Sequence, residues 1–141
     1  MHVLSPVLVV SALAAMSDPV HALDAWTVSV ERGLPTYALT SEAGEGRLVC
    51  DPDRVFGPTP NGALVVGFNK DAAPDMVVVL AKSGEQARLP VKNGLAAQAS
   101  VDPADWSKMV ASFRDGGEFA LVTSADSLSF ETAPLPELAC E

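Results

Sequence analysis

Residues 102–117, DPADWSKMVASFRDGG, hold the one clear helical period in the chain. Trp106, Met109, Val110 and Phe113 fall at i, i+3, i+4 and i+7, so they line one stripe of a helix. Asp102 is placed to cap it, because a carboxylate there accepts from the free amides of the first turn. Pro103 follows at the first helical position, where a missing N–H costs nothing. Arg114 stands in the last turn, and Gly116 or Gly117 can supply the left-handed stop. The spacing predicts a helix over about 103–115 whose apolar stripe is covered by a sheet.

Outward from that helix, the rest reads as short strands and turns. Residues 26–30, WTVSV, alternate apolar and polar and predict a strand with one buried face. Residues 33–35 make a turn, residues 36–40 a strand, residues 42–46 a loop, and residues 47–50 a strand that carries Cys50. The Gly-Glu-Gly of this loop is no dinucleotide fingerprint, since neither a third glycine nor a helix follows it. Residues 51–62, DPDRVFGPTPNG, contain three prolines and two glycines and exclude a regular element. Residues 63–68, ALVVGF, and 76–80, MVVVL, predict buried strands. Lys82-Ser83-Gly84-Glu85 suits a tight turn. Residues 87–91 and 95–100 follow as strands joined by Asn93-Gly94, a strong hairpin signal, and Pro90 suits an edge position. Beyond the helix come strands at 119–123 and 127–130, then a proline-interrupted end with a short helical turn at 136–139. Eight to nine short strands with hairpin-length connections predict a mainly β fold. It is an antiparallel β-sandwich or partly closed barrel with the late α-helix plugging an end or covering a face.

The 141 residues make one domain's worth of chain, and 48% are apolar, enough for a core. Residues 1–22 read as a secretory signal. An apolar run from Leu4 to Met16 has the length of a signal core, and Val20-His21-Ala22 suits cleavage after Ala22. Asp18 and Pro19 interrupt the run before it reaches the ~20 residues a membrane span needs. A single β-rich domain, residues 23–141, is then expected in the periplasm or outside the cell, with no membrane insertion. The signal holds one acid and no Lys or Arg, so its removal takes the formal charge from −9 to −8. That balance argues against nucleic acid and against anionic membrane surfaces. Cys50 and Cys140 form an even pair, most simply one disulfide in an oxidising compartment. Closing a loop of that length is worth about 4 kcal/mol in the chain-entropy model. With no C-x-x-C, metal and redox roles have no support.

Both histidines, His2 and His21, fall within the expected signal. A domain without imidazole cannot run Ser-His or Cys-His catalysis and lacks the commonest zinc ligand. Carboxylate pairs remain: Asp51 with Asp53, and Asp71 with Asp75. Either could act as acid and base on a glycan or hold calcium, but no D-x-[DN]-x-[DN]-G loop exists and loop aspartates mostly cap turns. No base accompanies Ser124, Ser127 or Ser129. Trp26 and Trp106 fit core packing better than ligand stacking. The candidate contact surface is the irregular loop with Asp51, Asp53, Arg54, Val55, Phe56 and Pro58. An exposed Phe56 would make an anchor, whereas a Phe56 folded beneath its own loop would not.

The layout of an exported chain with Ala25-Trp26-Thr27-Val28 just past the cut resembles a known family. Short strands follow, then a late helix, a Ser127-Leu128-Ser129-Phe130 strand and a Pro134-Leu135-Pro136-Glu137-Leu138-Ala139-Cys140 end. It resembles small secreted Gram-negative proteins related to the invasion-associated locus B family. The resemblance implies a periplasmic or surface β-sandwich with no known catalytic residues, and no binding residues carry over. The expected function is non-enzymatic binding of a protein partner in the cell envelope, with no cofactor. Inhibition of a basic extracellular hydrolase such as lysozyme is one alternative, and carboxylate-based glycan hydrolysis another.

Overall fold

Two antiparallel sheets and one helix make up residues 22–141, the part of the chain that the computed structural model describes. The expected signal segment, apart from Ala22, lies outside these residues. In chain order the strands are β1 (Thr27–Glu31), β2 (Leu34–Ser41), β3 (Gly44–Val49), β4 (Ala63–Phe68), β5 (Met76–Ala81), β6 (Gln86–Pro90) and β7 (Leu95–Ala97). A 3₁₀ turn (Gln98–Ser100) leads into α1 (Pro103–Asp115), then β8 (Gly117–Val122) and β9 (Ser127–Thr132). The first sheet runs β1-β2-β3-β4-β7 and the second β6-β5-β8-β9. This is the sandwich alternative; the sheets do not close into a barrel.

The core lies between the sheets because alternate residues point to opposite faces. Leu39, Leu48 and Leu64 of the first sheet meet Phe119, Leu121 and Phe130 of the second around one central point. Phe113 reaches the same point from α1, its ring 5.0 Å from Phe119. Trp26 completes the aromatic cluster at 5.3 Å from Phe113, as core packing rather than ligand stacking. Trp106, Met109, Val110 and Phe113 are all buried, and the helix bounds match the predicted ones. Asp102 accepts from the Ala104 amide at 2.9 Å. Gly62 leaves room for the Trp106 ring, since a Cβ there would come within 2.9 Å of it.

The tail after β9 has no regular element, and the short helical turn expected at 136–139 is a single turn at Pro136 and Glu137, closed by the Leu138 amide donating to the Leu135 carbonyl at 3.2 Å. It is nonetheless held at many points. Cys140 is bonded to Cys50, with Cα atoms 5.1 Å apart. Arg114 of α1 donates to the carbonyls of Leu138 and Cys140 at 3.1 and 2.9 Å. Trp106 Nε1 donates to the Glu141 main-chain oxygen at 3.0 Å, and the Tyr37 hydroxyl accepts from the Ala139 amide at 3.0 Å. Leu135 and Leu138 are buried. The helix therefore covers the core and straps the tail to it.

Several strand expectations change. Residues 26–30 were expected to bury one face, yet every position of β1 is exposed. Val28 and Val30 do share the inner face with Tyr37 and Pro35, their partners on β2, but β1 is the last strand of the larger sheet and none of the described residues covers it there. The first turn is Arg32-Gly33, with φ of 52° and 82°, so Leu34 and Pro35 belong to β2. MVVVL is half-buried: Val77 and Val79 point inward, while Met76 and Leu80 are exposed. Asn93-Gly94 does turn sharply, with φ of 53° and 76°, but does not join a hairpin of two sheet neighbours. β6 pairs with β5 and β7 with β4, so this turn hands the chain from one sheet to the other.

Candidate functional site

The loop of residues 51–62 leaves β3 directly after Cys50, so the disulfide fixes its root. Asp51, a candidate contact residue from sequence, is instead the loop's internal brace. Its carboxylate accepts from the Val55 amide at 2.9 Å and from Asn61 Nδ2 at 3.3 Å, and its carbonyl accepts from the Arg54 amide at 3.3 Å. The Val55 amide, helped by Asn61, holds the Asp51 carboxyl below the ordinary carboxylate range against the opposing effect of burial. Arg54 takes a left-handed φ of 53° and donates Nη1 to the Pro58 carbonyl at 2.9 Å, cinching the loop's tip. Short side-chain-to-backbone bonds of this kind replace the ladder that three prolines forbid.

The brace turns Val55 and Phe56 outward. They are 58% and 63% exposed, so Phe56 stands clear of its loop rather than folding beneath it. Asp53, Arg54 and Pro58 are exposed beside them. Phe56 forms one wall of an open concavity of about 530 Å³ on the outer face of the first sheet, with Leu34, Val49 and the charged Glu31, Arg32 and Arg47 around it. Glu31 and Arg47 are 3.7 Å apart. The structure thus brings five of the six candidate loop residues to the surface and keeps Asp51 within.

A second apolar surface was missed in the sequence. On the outer face of the second sheet, Val78 lies opposite Val122 and Leu80 opposite Ala120, with Met76 beyond. Met76 is 39% exposed and Leu80 36%. Alternation in MVVVL is hidden because both faces carry apolar residues, and only the missing cover reveals which face is outside. An open groove of about 710 Å³ runs by Leu80 and Ala120 and is rimmed by Asp24, Lys82, Glu118 and Glu131.

Carboxylates outside the loop also brace the fold. Asp126 accepts from the Lys70 and Ser127 amides at 2.9 and 2.7 Å, tying together two turns. Among the described residues no three His, Cys, Asp or Glu side chains converge as a metal site, and no helix is long and apolar enough to cross a membrane. The geometry can dock an apolar side chain against Phe56.

The chain matches no known protein family, curated protein or solved structure.

Proposed function

We propose that this chain is an exported, non-enzymatic protein of the cell envelope that acts by binding a protein partner through the loop of residues 51–62. The observation that carries the reading is Phe56, an aromatic ring 63% exposed on a loop held at its root by Asp51 and the disulfide. A large side chain presented on a fixed mount loses little freedom on binding, which is the property of an interface anchor. The disulfide suits an oxidising compartment, the periplasm or the outside of the cell. The lack of histidine in residues 23–141 removes the commonest acid-base group. The resemblance to invasion-associated locus B proteins points to the same class.

The two alternatives find less to stand on. An inhibitor of a basic hydrolase needs an acidic face, but Arg32, Arg47 and Arg54 share the loop surface with Glu31 and Asp53. A carboxylate hydrolase built on Asp51 would have to break the brace that holds the loop.

The test is capture from periplasmic extract with the oxidised domain, residues 23–141, as bait. A partner held by the wild type and lost with Phe56→Ala is the expected result; capture indifferent to Phe56, Val55 and Pro58 substitutions would remove the loop from the reading.

A further inference from the structure

We propose that β1 is a docking edge for a second copy of this chain, joined antiparallel about a two-fold axis at Ser29. Two open sheets have four edge strands between them, and unpaired edges invite strand addition unless they are blocked. Three of the four are closed. On β6, Pro90 lacks a donor and the Arg88 amide is taken by Asp105 of α1 at 3.3 Å. Along β9 lies Asp24, whose amide donates to the Glu131 carbonyl at 2.7 Å and whose carboxylate accepts from the Glu131 amide at 2.8 Å. β7 is only three residues long, bounded by the Asn93-Gly94 turn and the 3₁₀ turn. β1 has none of these devices. Its five residues include no proline and no bulge, pair in unbroken register with β2 alone among the described residues, and are all exposed there.

The chemistry of this edge selects a copy of itself. A two-residue turn with both φ positive is the type I′ hairpin turn, which closes on a hydrogen-bonded pair, here Glu31 with Leu34. Antiparallel ladders alternate, so the main-chain groups of Thr27, Ser29 and Glu31 face β2 while those of Val28 and Val30 point out to the free side. Opposing two β1 strands at Ser29 sets Val28 against Val30 of the copy on both sides of the axis. That register satisfies the outward amides and carbonyls of all four valines. It also puts valine against valine on the inner face, where Val28 is 55% and Val30 72% exposed. Shifting the axis to Val28 or to Val30 leaves one valine pair instead of two. The charges agree with the Ser29 register, because Glu31 meets Thr27 of the copy rather than another acid and keeps its pairing with Arg47. The result is a continuous ten-stranded sheet whose two Phe56 concavities open on the same side, since opposed residues in an antiparallel pair point the same way.

The junction is a single strand pair, smaller than a standard interface, so its association is expected to be weak and concentration-dependent. Sedimentation equilibrium of oxidised residues 23–141, up to about 1 mM, should give a reversible dimer, with Val30→Lys weakening it by at least about tenfold. A wild type still monomeric at that concentration, or a dimer indifferent to Val30→Lys in a protein with an unchanged circular dichroism spectrum, would overturn the proposal. Cross-linking fixes the register. Ser29 is a non-hydrogen-bonded pair across the axis, with Cα atoms about 4.5 Å apart, inside the disulfide range. Ser29→Cys should therefore oxidise to a covalent dimer. Thr27→Cys should not, because its counterpart lies four residues along the strand, about 13 Å away. Equal cross-linking of the two variants would refute the Ser29 axis.

Discussion

The tail of residues 133–141 and strand β1 reverse the usual association of regular structure with order. The tail has no helix or strand, yet a disulfide, hydrogen bonds to the side chains of Trp106, Arg114 and Tyr37, and two buried leucines hold it. β1 is a regular strand, yet among the described residues it is paired along one side only, and all five of its positions are exposed. A repeating backbone says which way side chains point, whereas burial depends on what else the chain brings to that place. At the tail, α1 supplies the cover. At β1 the second sheet ends one strand too soon.

The largest way to sharpen this contrast is to cut the tail's covalent tie. Replacing Cys50 and Cys140 together by Ala should cost about 4 kcal/mol, read from chemical denaturation. A loss under 1 kcal/mol would mean that Arg114, Tyr37 and Trp106 hold the tail unaided. Next comes the cover itself. Met109 is fully buried in α1, so Met109→Ala should cost about 3 kcal/mol as a cavity-forming truncation. An unchanged denaturation midpoint would break the picture of the helix as a lid.

The acid response of the loop is smaller. The folded Asp51 carboxyl titrates below its unfolded value of about 3.9, so its contribution is present above that pH and fades as pH falls through the folded value. Melting temperature should therefore drop below about pH 4, and Asp51→Asn should make that limb shallower; identical limbs would mean the brace carries no stability. The smallest effect belongs to β1. Val30→Ala in the monomer should change stability by less than about 0.5 kcal/mol, and a larger loss would show that the strand is covered after all.

How far the sequence could be read follows the same division. The helix was legible to the residue because its signals are local: a capping Asp102, Pro103 at the first position, the stripe from Trp106 to Phe113, and Gly116 at the end. The Cys50–Cys140 link followed from there being one possible pair. Strands 63–68 and 76–81 were legible as elements, but not their cover, since ALVVGF and MVVVL are apolar on both faces. WTVSV has the alternation of a half-buried strand, and nothing within five residues tells it that it will be last in its sheet. Asn93-Gly94 specified its turn correctly; which strands lie on either side is settled by β4 and β5, more than ten residues away. In the candidate loop, Asp51 looked like its neighbour Asp53, and only the folded loop separates a brace from a surface charge.

The position of the sulfurs sets an order of events. Cys50 emerges ninety residues ahead of its mate, so β4 to β9 and the helix are synthesised while that thiol is still alone. With two cysteines in the sequence there is no wrong pairing within one chain. The mispairing left open is between chains, through Cys50 of two unfinished molecules, and in the folded chain the Arg114 bonds to the Leu138 and Cys140 carbonyls hold the second sulfur beside the first.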